Sequence, residues 1–285
     1  MESMLWTRLT DGRLRCGLCA HACVLSPGQR GRCGVRCNHE GQPLSLVDGL
    51  VTGVQSDPVE KKPLYHFLPG SRTFSVGSAG CNFSCRFCQN HHISRDPLEQ
   101  ERIRGHEATP EMLVEAALRT SCRSLAFTYN EPLVGYEFVY DTARLLKEVG
   151  LATVLVTNGQ IEKDSWLHLL QYIDAVNIDL KGFTQAFYDW IGGDLETTKA
   201  AIAMAAEEGV HVEVTTLVIP GKNDSAAEMA AEAEWLAGIS AELPLHLSRY
   251  FPRYQVKIPM TPVETLQRLK QVAEARLRFV HLGNI

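Results

Sequence analysis

Short apolar runs alternate with amphipathic helical patterns from about Thr73 to the end of the chain. Seven of these runs have the length and the β-branched or aromatic content of buried strands, and they read TFSVGS, SLAFTY, ATVLVT, DAVNID, VEVTTLVI, PLHLS and RFVHLG. Helix boundaries fall between them, at Thr109-Pro110, Ser225 with Glu228, Thr261-Pro262 with Glu264, and at Gly150 as a helix end. Such alternation predicts a parallel sheet covered by helices.

The number of strand–helix units, six or seven, fits a complete or partial TIM-like barrel or a doubly wound sheet, and the pattern alone does not separate these. All of them place chemistry at the carboxyl ends of the strands. Residues 1–70 have a different texture, rich in cysteine and glycine, with short strand-like pieces such as PLSLVDGLVTGVQ. We therefore predict a small cysteine-rich module over residues 1–70 and an α/β domain over residues 71–285.

The charge balance narrows the choice of partners. The chain has 28 basic and 33 acidic side chains and no long Lys/Arg run, so nucleic acid is not an expected partner. Its apolar stretches fall short of the ~20 residues that a membrane span needs. The amino terminus has no apolar signal-peptide core. We expect a soluble cytoplasmic protein without a membrane partner.

Cysteine is the informative residue type, because eight of the nine cysteines fall into two groups. The first group is Cys16, Cys19, Cys23, Cys33 and Cys37, the second is Cys81, Cys85 and Cys88, and Cys122 stands alone. A chain without an export signal and with enough apolar residues for a core does not need disulfides. Thiolate ligands to metal are the better interpretation.

The second group has the spacing Cys-x3-Cys-x2-Cys directly after the first strand of the α/β domain. A cubane iron–sulfur cluster takes one thiolate per iron, so three cysteines leave one iron with an open coordination position. Zinc is the alternative, but structural zinc takes four protein ligands and catalytic zinc commonly uses His or carboxylate. The spacing therefore predicts a 4Fe-4S cluster at Cys81, Cys85 and Cys88.

This loop resembles the signature of radical S-adenosylmethionine (SAM) enzymes, and Phe87 is aromatic as that signature expects. The resemblance implies a partial TIM-like barrel of about six parallel β/α units. It also implies that the unique iron binds the amino and carboxylate groups of SAM. An electron from an external donor, such as flavodoxin or ferredoxin, then cleaves SAM to a 5′-deoxyadenosyl radical that abstracts hydrogen from a substrate.

Segments at later strand ends resemble parts of the pyruvate formate-lyase activating enzyme subfamily that contact SAM. The residues that this resemblance assigns to cofactor binding are Phe87, Asn130, Glu131, Thr157, Asn158, Asp179, Lys181 and His246. Glu131 suits an ammonium group, because a carboxylate at a strand end accepts charge-assisted hydrogen bonds. Asp179 and Lys181 alternate along a strand, so a simple structural ion pair is an open alternative. Where the activating enzymes have Asp-Thr-Asn-Gly this chain has Val156, and the difference falls at residues that contact a monovalent cation there.

The first cysteine group supplies four closely spaced thiolates, Cys16, Cys19, Cys23 and Cys33, enough to close a zinc or iron–sulfur site. Cys37 is either spare or an alternative fourth ligand. The spacing does not decide which metal binds.

Taken end to end, the chain resembles the radical SAM proteins of the AmmeMemoRadiSam system. The resemblance implies hydrogen abstraction from a small molecule or a protein residue. A second hypothesis is an activating enzyme that puts a glycyl radical on a partner protein. A third is an iron–sulfur scaffold without turnover.

Overall fold

A computed structural model describes residues 5–99 and 103–285 of the chain. The amino-terminal part consists of short strands with intervening turns. The strands are β1 (Trp6–Arg8), β2 (Leu14–Cys16), β3 (Val24–Leu25), β4 (Arg36–His39), β5 (Gln42–Ser45) and β6 (Leu50–Val51). β1, β2 and β3 form a three-stranded antiparallel sheet, and β4 pairs with β5.

The remaining strands are β7 (Gly53–Pro58), β8 (Arg72–Gly77), β9 (His106–Glu107), β10 (Ser124–Phe127), β11 (Ala152–Thr157), β12 (Ala175–Asp179), β13 (His211–Val218), β14 (Leu245–Arg249) and β15 (Val280–Gly283). The helices are α1 (His91–Ser94), α2 (Asp96–Glu99), α3 (Pro110–Arg119), α4 (Tyr136–Glu148), α5 (Lys163–Leu170), α6 (Gln185–Ile191), α7 (Leu195–Glu207), α8 (Ala226–Ile239) and α9 (Val263–Ala273). Two 3-10 turns occupy Val59–Lys61 and Pro132–Gly135.

The centre of the molecule is an eight-stranded sheet in the order β15-β14-β13-β12-β11-β10-β8-β7. From β8 to β15 all neighbouring strands are parallel, and only β7 is antiparallel to its neighbour. All seven strands predicted from apolar runs are confirmed. The order follows the sequence without the reversal of a doubly wound sheet, so the arrangement fits the partial barrel of six β/α units.

The predicted helix boundaries are confirmed, although one of the predicted caps is absent. Thr109 caps α3 by accepting the Met112 N–H at 3.3 Å, and Ser225 caps α8 by accepting the Glu228 N–H at 3.1 Å. Gly150 has φ +72° after α4, as a helix-ending glycine should. α9 begins at Val263, as Thr261-Pro262 predicted, but Thr261 does not cap it, because its hydroxyl donates to the Val218 carbonyl at 2.6 Å.

The amino-terminal part of the chain is attached to the α/β domain at two places, one on the sheet and one on helix α4. β7 pairs with β8 across the predicted boundary at residues 70 and 71, so the sheet begins at Gly53. Arg36, 2% exposed, makes a bidentate ion pair with Glu137 on α4 at 2.8 and 2.9 Å, and it lies over the Trp6 ring. Such a paired guanidinium holds two elements in a fixed relative orientation.

Within residues 5–99 and 103–285, none of the helices has the length and apolar character to cross a membrane.

Candidate active site

A cavity of about 320 Å³ lies where the carboxyl ends of the parallel strands meet. Cys81, Cys85 and Cys88 all line it, so the structure brings the three predicted ligands together. No other cysteine and no histidine of the described residues lines this cavity. The site therefore offers three sulfurs and open space beside them.

In a cubane cluster each of the three thiolates would bind a different iron, so the three sulfurs need not reach one ion. In the part of the chain that the structure describes, no three His, Cys, Asp or Glu side chains lie close enough to share one metal ion. Burial raises the pKa of the Cys85 thiol to about 12 and that of Cys81 well above its usual range. Metal binding at this site must therefore release protons.

The loop of residues 80–88, here called the cluster loop, is held by backbone and amide groups. Gly80 has φ +87°, and a Cβ at this position would stand 2.8 Å from the Cys33 carbonyl oxygen. The Phe83 N–H donates to Cys81 Sγ at 3.4 Å, and Asn158 Nδ2 approaches the same sulfur at 3.8 Å. Hydrogen bonds to cluster sulfurs are one of the factors that set reduction potential.

Glu131 joins the ends of β10 and β11 at the cavity wall. Its side chain is buried and accepts hydrogen bonds from the Thr157 hydroxyl (2.7 Å), the Asn158 N–H (2.7 Å) and the Leu133 N–H (3.0 Å). Burial nevertheless raises the pKa of Glu131 to about 7. Asn130 supports the same turn by donating to the Gly80 carbonyl at 3.1 Å. Glu131, Asn130, Thr157 and Asn158 all line the cavity, as their place at strand ends predicted.

Asp179 and Lys181 form an ion pair at 2.7 Å and line the same cavity. Burial alone would lower the pKa of Lys181, but the Asp179 carboxylate raises it above its ordinary value. Both side chains therefore face the same cavity, as their alternation along the strand predicted. Each charge is partly neutralised by the other.

Phe87 and His246 have different surroundings. Phe87 lines the cavity and packs against Trp190 with ring centroids 5.3 Å apart. His246 lies outside the cavity lining, where its Nε2 donates to the buried Glu213 carboxylate at 2.6 Å. Ser248, two residues farther along β14, lines the cavity instead. The predicted contact between His246 and adenine stays a prediction.

Sequence reasoning missed a network beside the cavity that includes Tyr129. This residue has φ +76°, and its hydroxyl donates to Asp57 at 2.9 Å. Lys62, 2% exposed, donates to the same carboxylate at 2.9 Å and lies 4.7 Å from the Tyr129 ring centroid. Burial raises the pKa of Asp57, but the hydrogen bonds from Lys62 and Tyr129 outweigh it and hold the value well below its ordinary range. The sequence does not indicate this network, because Asp57 and Tyr129 are far apart in the chain.

The amino-terminal cysteines lie next to the cluster loop. Cys16, Cys19, Cys23 and Cys33 line one small cavity, called here the thiol pocket, and Cys37 lies outside its lining. The Cys81 N–H donates to the Cys33 carbonyl at 3.3 Å. His21 Nε2 donates to the Asn82 carbonyl at 2.8 Å. The cysteine-rich amino-terminal module thus contacts the cluster loop directly.

The sequence profile of the Radical SAM superfamily matches residues 75–233, more than half of the chain and including the cluster loop. The chain belongs to the radical SAM superfamily. This family implies a 4Fe-4S cluster and SAM, and the three sulfurs beside an open cavity fit both groups. The parallel α/β fold agrees with the family.

Three comparisons with known proteins illustrate the relationship. An uncharacterized protein of Methanocaldococcus jannaschii is 38% identical over 100% of this chain and 85% of its own length. The pyruvate formate-lyase-activating enzyme of Clostridium pasteurianum is 29% identical over 55% of this chain, and the match spans 66% of that enzyme. The solved structure of a radical SAM methyltransferase from Sphaerobacter thermophilus aligns with a TM-score of 0.60 at 20% identity, over 76% of this chain and 67% of that chain.

Proposed function

We propose that this protein is a radical SAM enzyme whose cluster is held by Cys81, Cys85 and Cys88 and whose cavity binds SAM. When bound, these groups supply reductive cleavage of SAM to a 5′-deoxyadenosyl radical, which abstracts hydrogen from a substrate. The observation that carries the proposal is the set of three thiols on one wall of a cavity that no further thiol or imidazole of the described residues lines. A fully ligated cluster would have no position for SAM.

The polar wall of the cavity supports a site for SAM. We assign Glu131 to the SAM amino group, because its carboxylate already faces the cavity beside Cys81. Thr157, Asn158 and Asn130 hold Glu131 and the cluster loop in place through the hydrogen bonds described above. Asp179 and Lys181 offer a carboxylate and an ammonium to the rest of the ligand. Phe87 shields the cluster with an apolar ring, and Ser248 and His246 on β14 are assigned to the side of the site that receives adenine.

The substrate class has two candidates. Action within the AmmeMemoRadiSam set, on a small molecule or a protein residue, is our first choice, because the chain resembles that set from end to end. Activation of a glycyl radical enzyme is the second, and the similarity to an activating enzyme favours it. Both require an external one-electron donor of the flavodoxin or ferredoxin type, and both use residues 71–285 as the catalytic domain.

Anaerobic reconstitution followed by product analysis tests this proposal. The protein with iron, sulfide, SAM and dithionite should yield 5′-deoxyadenosine, and Cys85→Ala should lose both the cluster of the cavity and the product. Cys122→Ala is the matched control, since Cys122 is buried and lies outside the cavity lining. An intact cluster that forms no deoxyadenosine would leave the non-catalytic scaffold as the better hypothesis. A glycyl radical signal on a partner protein would favour the activating enzyme.

A further inference from the structure

The thiol pocket has more cysteines than the active site and contains them in one small space. Cys16 and Cys33 are 6% and 7% exposed, and Cys19 and Cys23 are half-buried in the lining of the same cavity. Cys37, four residues after Cys33, lies in β4 and does not line the cavity. The fold therefore brings four of the five amino-terminal cysteines together. Four thiolates are a complete ligand set for a zinc ion or an iron–sulfur cluster.

The thiol pocket is much smaller than the active-site cavity, with a volume of about 20 Å³ against about 320 Å³. Four thiolates complete the ligand set of either a zinc ion or an iron–sulfur cluster. The ligand set fits both, so the choice between them rests on what the pocket contacts.

Thiols also line the cavity at Cys81, Cys85 and Cys88, where the family implies a cluster. The difference between the two sites is the number of sulfurs. Four thiolates saturate a cluster, so a centre in the thiol pocket has no iron free to bind SAM or a substrate. Arg32 and Arg36 line the pocket as well and supply positive charge beside an anionic centre. Electron transfer is the chemistry that such a closed centre retains.

A direct contact between the thiol pocket and the active site offers a path for electron transfer. The Cys33 carbonyl accepts the Cys81 N–H, so a single hydrogen bond links a ligand of one site to a ligand of the other. Gly80 permits this approach, since a Cβ there would meet the Cys33 carbonyl oxygen at 2.8 Å. Asn82, next to Cys81, belongs to the lining of the thiol pocket itself.

We propose that Cys16, Cys19, Cys23 and Cys33 hold a second iron–sulfur cluster that passes electrons to the cluster at Cys81, Cys85 and Cys88. The proposal rests on the radical SAM function proposed above. A one-electron donor of the flavodoxin or ferredoxin class is oxidised by one electron, which reduces the second cluster. That cluster is reoxidised when the electron moves to the first cluster. No bond forms or breaks and no proton moves in this step.

The existence of the second cluster is tested without the active site. In the variant Cys81→Ala/Cys85→Ala/Cys88→Ala, anaerobic reconstitution should leave about two to four iron atoms per chain with matching sulfide. After reduction, its electron paramagnetic resonance signal should not change on addition of SAM. Zinc in place of iron, or no bound metal, would overturn the proposal. This result does not depend on whether the wild type cleaves SAM, so the two proposals fail separately.

The relay is tested with Cys19→Ser/Cys23→Ser, and Cys37→Ser serves as the matched control in the same module. With reduced flavodoxin as donor, the double variant should form deoxyadenosine at least about tenfold more slowly, although its first cluster and its SAM affinity are retained. Cys37→Ser should match the wild type. Equal rates in all three proteins would refute the relay.

A measurement on the wild type needs no variant at all. After rapid mixing with reduced flavodoxin and freeze-quenching, the signal of the second cluster should appear before the SAM-sensitive signal of the first. The reverse order would refute the relay even if both clusters are present.

Discussion

Glu213 is a buried carboxylate beneath the cavity, and its ionisation should govern stability in acid. Both oxygens accept hydrogen bonds, from His246 (2.6 Å), His211 (2.9 Å) and the backbone N–H groups of Tyr65 and His66 (3.0 and 2.8 Å). Burial raises the pKa of Glu213, but these four donors outweigh it and lower the value to about 2, from an ordinary value of 4.5. The ionised form is therefore favoured in the folded state.

The magnitude follows from the shift. A difference of about 2.5 pKa units at about 1.4 kcal/mol each corresponds to about 3 kcal/mol of folding free energy. Because the folded pKa lies below the unfolded one, this contribution is present above pH 4.5. It is lost as the pH falls from about 4.5 to about 2. Glu213→Gln should lower the free energy of unfolding by about 3 kcal/mol at pH 7 and by progressively less in acid.

Urea unfolding of both proteins between pH 3 and pH 8 measures this difference. Glu232→Gln is the matched control, since Glu232 is also fully buried but burial raises its pKa to about 8. A raised carboxyl pKa has the opposite sign, because ionisation then costs stability as the pH rises from 4.5 towards 8. The Glu232 variant should gain stability relative to the wild type at pH 8. A Glu213 variant whose deficit is the same at pH 3 and pH 7 would refute the reasoning.

Three further predictions concern the cavity and the cluster loop. Glu131→Gln should weaken SAM binding in equilibrium dialysis by about 10- to 100-fold, as expected for losing a charge-assisted hydrogen bond of about 1.5–3 kcal/mol; undiminished affinity would remove Glu131 from the SAM site. Asn158→Ala should lower the reduction potential of the first cluster by up to about 40 mV, because it removes a hydrogen bond of about 1 kcal/mol to Cys81 Sγ. A redox titration that shows no shift in potential would contradict this prediction. Gly80→Ala should lower the melting temperature and the iron content, because its Cβ would clash with the amino-terminal module. Gly12→Ala is the control with a similar φ of +79° and open space around it, and equal losses in both would show that backbone strain alone is responsible.

Local patterns predicted the parallel sheet well. Each predicted strand is short and rich in β-branched or aromatic residues. A helix separates it from the next strand, and such helical crossover connections are typical of parallel neighbours. The three-cysteine spacing likewise placed the active site, because the ends of parallel strands converge at one edge of the sheet. Asn130, Glu131, Thr157 and Asn158 were assigned to cofactor binding by the resemblance to activating enzymes, and the structure places them in the lining of the same cavity.

Interactions between distant parts of the chain could not be predicted from pattern. Thr261 looked like a helix cap, but tertiary structure offers its hydroxyl the Val218 carbonyl, 43 residues away, and this bond prevails. His246 was assigned to adenine by resemblance, and nothing local in the sequence reveals its 2.6 Å hydrogen bond to Glu213, 33 residues earlier in the chain. The pairing of β7 with β8 could not be predicted either. The residue pattern of β7 would be the same whether it paired within the amino-terminal module or at the edge of the central sheet.

The central claim is that the cluster at Cys81, Cys85 and Cys88 keeps one iron open for SAM. Electron paramagnetic resonance of the reduced Cys19→Ser/Cys23→Ser variant tests it most directly, because no second cluster overlaps the signal. Adding SAM should change the spectrum, and SAM labelled with ¹⁵N at the amino group should show hyperfine coupling to the cluster. A spectrum that is identical with and without saturating SAM would contradict the account.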